Sequence, residues 1–149
     1  MKVTDLCRRE VVTISAAATV VEAARLMCSQ HVGAVIVTTS RADRAIAVGV
    51  LTDRDIVCAQ LAGARDLGQL RVADVMAADP LVLDAEEPID EAIRRMRARG
   101  VRRAPVVGPG GVLTGVLSFD DLLAHISGKL AALARLTARQ ARGEEAWVV

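Results

Sequence analysis

The chain has 149 residues, a net charge of +1 and a composition that is 52% hydrophobic and 25% charged. That is enough apolar material for a buried core and argues against disorder, while a charge so near zero does not by itself point to nucleic acid or an anionic membrane. With one Phe and one Trp, the core must come from Ala, Val, Leu and Ile.

Residues 1–10 carry Lys2, Asp5, Arg8, Arg9 and Glu10, which leave no room for the apolar segment of a signal peptide. No run approaches the ~18 apolar residues of a membrane span. Cys7, Cys28 and Cys58 are scattered, odd in number and without C-x-x-C spacing. They read as reduced thiols of a cytoplasmic protein rather than a disulfide framework or a metal site.

A short extended segment, residues 11–14, opens the ordered chain. A helix follows, capped by Thr19 with Glu22 closing a capping box. Its Val20, Ala23, Ala24 and Met27 recur at i, i+3, i+4 and i+7, the stripe of an amphipathic helix. Strands are expected over 34–37 and 46–51, joined by a polar turn over 38–44. The second strand ends in Gly49-Val50-Leu51 and runs into Thr52, which reads as the N-cap of the next helix, with Asp55 at its third position. Residues 63–69 form a link.

The same order then returns. Arg71-Val72-Ala73-Asp74-Val75 matches Lys2-Val3-Thr4-Asp5-Leu6. Leu81-Val82-Leu83 is the short extended segment, and Pro88 sits at a helix start, where a missing N–H costs little. The stripe is now Ile89, Ala92, Ile93 and Met96. Strands are expected over 104–107 and 112–117, joined by Gly108-Pro109-Gly110-Gly111, a strong turn signal. Gly115-Val116-Leu117 leads to Ser118 and Asp121, as Gly49-Val50-Leu51 leads to Thr52 and Asp55. The copies are offset by 69 residues at Glu22 and Glu91 but by 66 at Gly49 and Gly115, so the first carries three extra residues, best placed in the 38–44 turn. After Gly128, residues 129–142 read as a further helix and 143–149 as a frayed end. The expected organisation is repeat one over 1–62, a link over 63–69, repeat two over 70–127 and a helical tail over 128–149.

The doubled strand-helix-strand-strand-helix order, with Gly-x-x-Thr/Ser-x-x-Asp opening the last helix of each copy, resembles a pair of cystathionine-β-synthase (CBS) domains, a Bateman module. The phrases Gly49 to Ile56 and Val101-Arg102-Arg103-Ala104-Pro105-Val106-Val107 are similar to those of bacterial stand-alone CBS pairs. The resemblance covers about residues 1–127. It implies an α/β (α+β) fold of two β-α-β-β-α repeats about a pseudo-twofold axis, with the C-terminal helix added. It further implies clefts for adenosine-containing ligands: AMP first, with ADP, ATP, NAD and S-adenosylmethionine as alternatives. Asp55 and Asp121 match the family's ribose-binding Asp, and Thr52 and Ser118 its phosphate-side hydroxyl. Thr13, Ile14 and Val82 match the strand start that lines the adenine pocket. Ala34, Val35, Arg103, Ala104 and Pro105 match the next strand, which also lines it.

The residue types suit such a ligand. A carboxylate accepts two hydrogen bonds, and a ribose diol offers two donors. A helix N-terminus presents N–H groups to a phosphate, and Arg54, Arg102 and Arg103 offer guanidinium forks. The copies are unequal: Arg102 and Arg103 stand where copy one has Gly33 and Ala34, and Arg54 stands where copy two has Asp120. Thr-x-x-Asp and Ser-x-x-Asp are also ordinary capping boxes, and Phe119 reads as a core or surface residue before an adenine-stacking one.

Arg94, Arg95, Arg97, Arg99, Arg102 and Arg103 form a basic cluster. A solvated helix face accounts for the first four, and an RNA, DNA or acidic-protein adaptor is the sharper alternative. His31 and His125 have no second His near them and read as cap or surface residues rather than metal ligands. No catalytic motif is present: no G-x-S-x-G, Walker lysine loop or H-E-x-x-H. The expectation is a regulatory module, not an enzyme, which acts in trans on an unidentified protein and works as a homodimer. A degenerate pair kept only for dimerisation is the remaining reading.

Overall fold

A computed structural model describes residues 1–63 and 66–144. Residues 64 and 65 of the link, and the 145–149 part of the expected frayed end, lie outside the described residues.

The first sheet has the order β1-β2-β3-β4, from β1 Thr13–Ser15, β2 Ala34–Arg41, β3 Arg44–Thr52 and β4 Ala77–Ala78. The second has β5 Leu83–Asp84, β6 Arg103–Val107 and β7 Leu113–Ser118. In each repeat the first strand runs parallel to the second, and the second and third form an antiparallel hairpin. The helices are α1 Val20–Gln30, α2 Asp53–Ala62, a one-turn α3 Val72–Val75, α4 Ile89–Arg99 and α5 Phe119–Glu144. A 3₁₀ turn over Val3–Asp5 is the first-repeat counterpart of α3. This is the α+β architecture of two like repeats that the duplication implies.

The helix signals act as their chemistry dictates. Thr19 caps α1, its side chain accepting from the Glu22 N–H while Glu22 reaches back to the Thr19 N–H. Val20, Ala23 and Met27 are buried in one core, and Ile89, Ala92 and Met96 in the other. Helices α1 and α4 both end on a left-handed residue, His31 (φ 53°) and Gly100 (φ 64°), which lets the next N–H turn back onto the last turn's carbonyls.

Three local expectations need correction. Residues 38–44 are not a polar turn: β2 and β3 continue through them to a two-residue turn at Ala42 and Asp43, with φ 50° and 58°. Two left-handed residues match the twist of a hairpin, so the three extra residues lengthen a ladder. In the second copy the connection is a 3₁₀ turn over Pro109–Gly111. Nor does Gly128 divide the last helix: α5 runs unbroken through it, at a cost of only about 1 kcal/mol relative to Ala. The first strands begin later than read, at Thr13 and Leu83; just before them the Val12 carbonyl accepts from the Ile36 N–H and the Val82 carbonyl from Arg95 Nη2.

The segments further ahead of these strands are exchanged between the repeats as leaders. Val3 is fully buried in the core of Leu83, Ile89, Met96 and Leu117, which belongs to repeat two. Val72, with Leu70, is buried in the core of Val20, Met27, Val35 and Leu51, which belongs to repeat one. The backbone repeats the pattern: Val3 and Thr4 donate to Glu87 O and Ala85 O, while Val72 and Ala73 donate to Ala18 O and Ala16 O. Past each leader the chain forms an edge on the other repeat. Ala77 and Ala78 pair with Val50 and Gly49 of β3, and Arg8 pairs with Val116 of β7.

Candidate functional site

The leader exchange brings the ends of α2 and β4 beside the start of β6. A cleft of about 740 Å³ lies between the repeats there. Repeat one lines it with Gly33, Ala34, Val50 and the Thr52-Asp53-Arg54-Asp55 corner. The incoming strand contributes Ala77 through Leu81, and repeat two contributes Arg99, Val101, Arg102, Arg103 and Asp120.

The corner is built by capping. Asp55 Oδ2 accepts from the Thr52 N–H at 2.9 Å and from the Thr52 hydroxyl at 2.7 Å, and the Asp55 N–H donates to Thr52 Oγ1 at 3.1 Å. Asp55 Oδ1 has no hydrogen-bond partner among the described residues. The cap holds the carboxylate in place yet leaves one oxygen for another donor. The helix N–H groups are less available: Asp53 N–H donates to Gly33 O at 3.1 Å, and Arg54 N–H to Asp53 Oδ1 at 2.8 Å. An anion here must therefore rely on side chains more than on the helix end.

Four arginines and four aspartates line the cleft, so its bias must come from placement rather than net charge. Arg102 lies over the exposed Phe119 ring, 5.2 Å from its centroid, and 3.7 Å from Asp120. Phe119 is thus a surface platform for a guanidinium. Arg99 stands 3.6 Å from Asp79. Arg54 and Arg103 make no ion pair among the described residues. Ion pairs as long and exposed as those of Arg99 and Arg102 hold weakly, so all four guanidiniums can turn to a phosphate.

Of the fourteen residues singled out in the sequence, the cleft gathers Ala34, Thr52, Arg54, Asp55, Arg102 and Arg103. The other eight stand outside its lining. Val35, Ala104 and Pro105 are buried. Thr13 is exposed on β1, and Ile14 packs against the first core. Val82 is half-buried, its carbonyl accepting from Arg95 Nη2 at 2.8 Å. Asp79, Pro80, Leu81 and Arg99 are cleft residues that sequence reasoning missed. For Asp79, Pro80 and Leu81 the available signal was the match of Arg71-Val72-Ala73-Asp74-Val75 with residues 2–6, which marks a leader in each copy, and for Arg99 its place in the basic cluster.

Ser118 and Asp121 form the corner of the other repeat, and there both carboxylate oxygens are engaged. Oδ2 accepts from the Ser118 hydroxyl and, at 3.2 Å, from the Ser118 N–H. Oδ1 accepts from Arg8 Nε at 2.6 Å. Burial is the largest single influence on the Asp121 carboxyl and pushes its pKa up, but the hydrogen bonds from Ser118 and Arg8 and the Arg8 charge together hold it below the ordinary 3.8.

Two members of the basic cluster are tied down. Arg94 pairs with Glu91, and Arg95, half-buried, pairs with Glu87 and holds the Val82 carbonyl. A solvated face therefore describes Arg94 and Arg97 but not Arg95, whose stem and head are part of the fold. Among the described residues no cluster of His, Cys, Asp and Glu is arranged to hold a metal, and no helix is long and apolar enough to cross a membrane.

Comparison with known proteins gives the following. The family model for the CBS domain matches residues 3–62 and 72–128. The chain is 27% identical over 123 residues to an uncharacterized protein of Methanopyrus kandleri, covering 83% of this chain and 61% of that one. It is 33% identical over 120 residues to the CBS domain-containing protein YhcV of Bacillus subtilis, covering 80% and 81%. Thus it spans somewhat under two thirds of the first relative and most of the second. Among solved structures, a CBS domain protein of Pyrobaculum aerophilum complexed with AMP superposes with a TM-score of 0.71 at 28% identity, covering 82% of this chain and 90% of that one.

Proposed function

As the chain belongs to the CBS domain family, with both repeats matched, we propose that it is a regulatory module that binds an adenosine-containing nucleotide between its repeats. AMP is the first candidate; ADP, ATP, NAD and S-adenosylmethionine are the alternatives. The observation that carries this reading is the Asp55 corner, which lines the same cleft as Arg54, Arg99, Arg102 and Arg103 and has one carboxylate oxygen unused. Asp55 would accept from the ribose diol, and the arginines would take the phosphate. The AMP complex of the Pyrobaculum aerophilum relative supports the ligand class.

Binding would then be relayed in trans to a partner protein in the cytoplasm, with no bond made or broken. Two copies pair through the exposed apolar residues of α2 and α5: Val57, Leu61, Leu123, Ile126 and Leu130. The test is thermal melting against the nucleotide panel. A ligand at 100 times its Kd adds about 2.7 kcal/mol, a Tm rise of about 5–10 °C for a chain of this size. Asp55→Asn should remove that rise. If no member of the panel at millimolar concentration shifts the wild type, the reading fails.

A further inference from the structure

The two repeats share strand order and pairing, so their corners can be compared position by position. Ala77 faces Val50 in the first sheet, and Arg8 faces Val116 in the second. Val50 and Val116 each stand two residues before the capping hydroxyl. Arg8 and Ala77 are therefore equivalent places on the exchanged leaders. At one of them a methyl group leaves Asp55 with an unused oxygen. At the other a guanidinium donates to the equivalent carboxylate at 2.6 Å.

We infer that Arg8 is a built-in occupant of the Asp121 corner, so that the chain takes one nucleoside ligand, at Asp55, and not two. This rests on the ribose-binding role proposed above. A ribose diol needs both carboxylate oxygens, or one oxygen and open space beside it. At Asp121, Ser118 holds one oxygen and Arg8 the other, and the Asp121 side chain is only 10% exposed. A charge-assisted hydrogen bond to such a group is equivalent to about 10- to 100-fold in affinity, which an incoming diol would have to overcome. Elsewhere the corners differ in charge. Arg103 pairs with Ser118 where the first corner has Ala34 paired with Thr52, and Asp120 stands where the first corner has Arg54. Arg103 lines the Asp55 cleft, and Asp120, next to Asp121, opposes a phosphate, so the uncharged nucleoside is the right probe for the Asp121 corner.

Arg8 suits this role because its position is fixed and its head is replaceable. Its backbone is pinned to Val116 by a reciprocal pair of hydrogen bonds, both 2.9 Å. Its side chain is 70% exposed, so truncation removes the plug and leaves the leader in place.

The experiment is calorimetric titration of the full chain with adenosine and with AMP. The wild type should bind one equivalent of each. Arg8→Ala should gain a second adenosine site about 10- to 100-fold tighter than any the wild type shows there, and Asp121→Asn in that background should remove it. Arg8→Gln, which keeps most of the stem, should behave in the same direction, and circular dichroism confirms that each variant is folded. Two equivalents in the wild type, or only one in both Arg8 variants, overturns the inference while leaving the Asp55 reading intact. The double variant Arg8→Ala, Asp55→Asn separates the two ideas. One adenosine retained there upholds the plug even if the wild type binds nothing, and none retained overturns it.

Discussion

Gly115 lies directly beneath the Arg8 carbonyl: a Cβ added at Gly115 would stand 2.8 Å from that oxygen and 2.9 Å from Cys7 Sγ. Gly49 stands in the same relation to the other leader, its added Cβ 3.0 Å from Ala77 O. In each repeat the glycine is a gap in a strand over which the partner's leader passes. Gly115→Ala should therefore destabilise the fold by about 1–3 kcal/mol, a Tm fall of about 3–12 °C. Gly128→Ala is the opposite case. Nothing lies within 4 Å of an added Cβ there, and the site is inside α5, so it should stabilise by about 1 kcal/mol. Equal effects of the two substitutions in thermal melts would refute the packing argument.

The exchange also predicts how the chain can be cut. A fragment of residues 1–62 follows the repeat boundary visible in the sequence but lacks Leu70 and Val72 of its own core. A fragment of residues 11–78 breaks that boundary and keeps them. The second should show more protected amides in hydrogen exchange and a higher Tm. A cooperative melt of the first as a monomer, at or above the temperature of the second, would count against the exchange.

The duplication, the helix stripes and both capping corners were legible because they are local. Thr52 sits three residues from Asp55, and Val20, Ala23 and Met27 recur at the helical period of 3.6. What was hidden is long-range. No property of Val3 or Val72 says which core receives it, since a valine fills either equally well. Arg8 and Asp121 meet across 113 residues, so an arginine in a charged leader reads as solvated surface. The hairpin at Ala42 and Asp43 escaped because Thr39, Ser40 and Arg41 are polar for a different reason: they lie on a ladder that projects past the core, exposed on both faces.

Asp121 makes a pH prediction. Its folded pKa lies below the ordinary carboxyl value. The stability it contributes is therefore complete above that ordinary value and is lost as the pH falls through the lower folded one. Acid unfolding followed from pH 5 downward should be less steep in Asp121→Asn than in the wild type, and Arg8→Ala should fall between them. Identical slopes for all three would show that the carboxyl is not held by these partners.

Association should depend on the apolar side chains left outside the two cores. Leu123, Ile126 and Leu130 follow one another at spacings of three and four along α5, each about half exposed, a seam suited to a second helix. Sedimentation of the wild type at micromolar concentration should give at least twice the 15.7 kDa of one chain. Ile126→Asp with Leu130→Asp should shift it toward the single chain with little change in circular dichroism. A wild type that sediments as a monomer throughout would refute the seam.

The crossing of the leaders also dictates a timetable for synthesis. A ribosome delivers Val3 well before Leu83, Ile89 and Leu117, so the pocket that receives it is not complete until more than a hundred further residues have been made. The first sheet in turn waits for Ala77 and Ala78 before its edge is covered. At about 5–20 residues per second, the nascent first repeat spends several seconds with an open edge strand and an unfilled core, the interval in which a chaperone or a neighbouring nascent chain has access to it. In return, a single cut in the link leaves each half with a leader buried in the other's core.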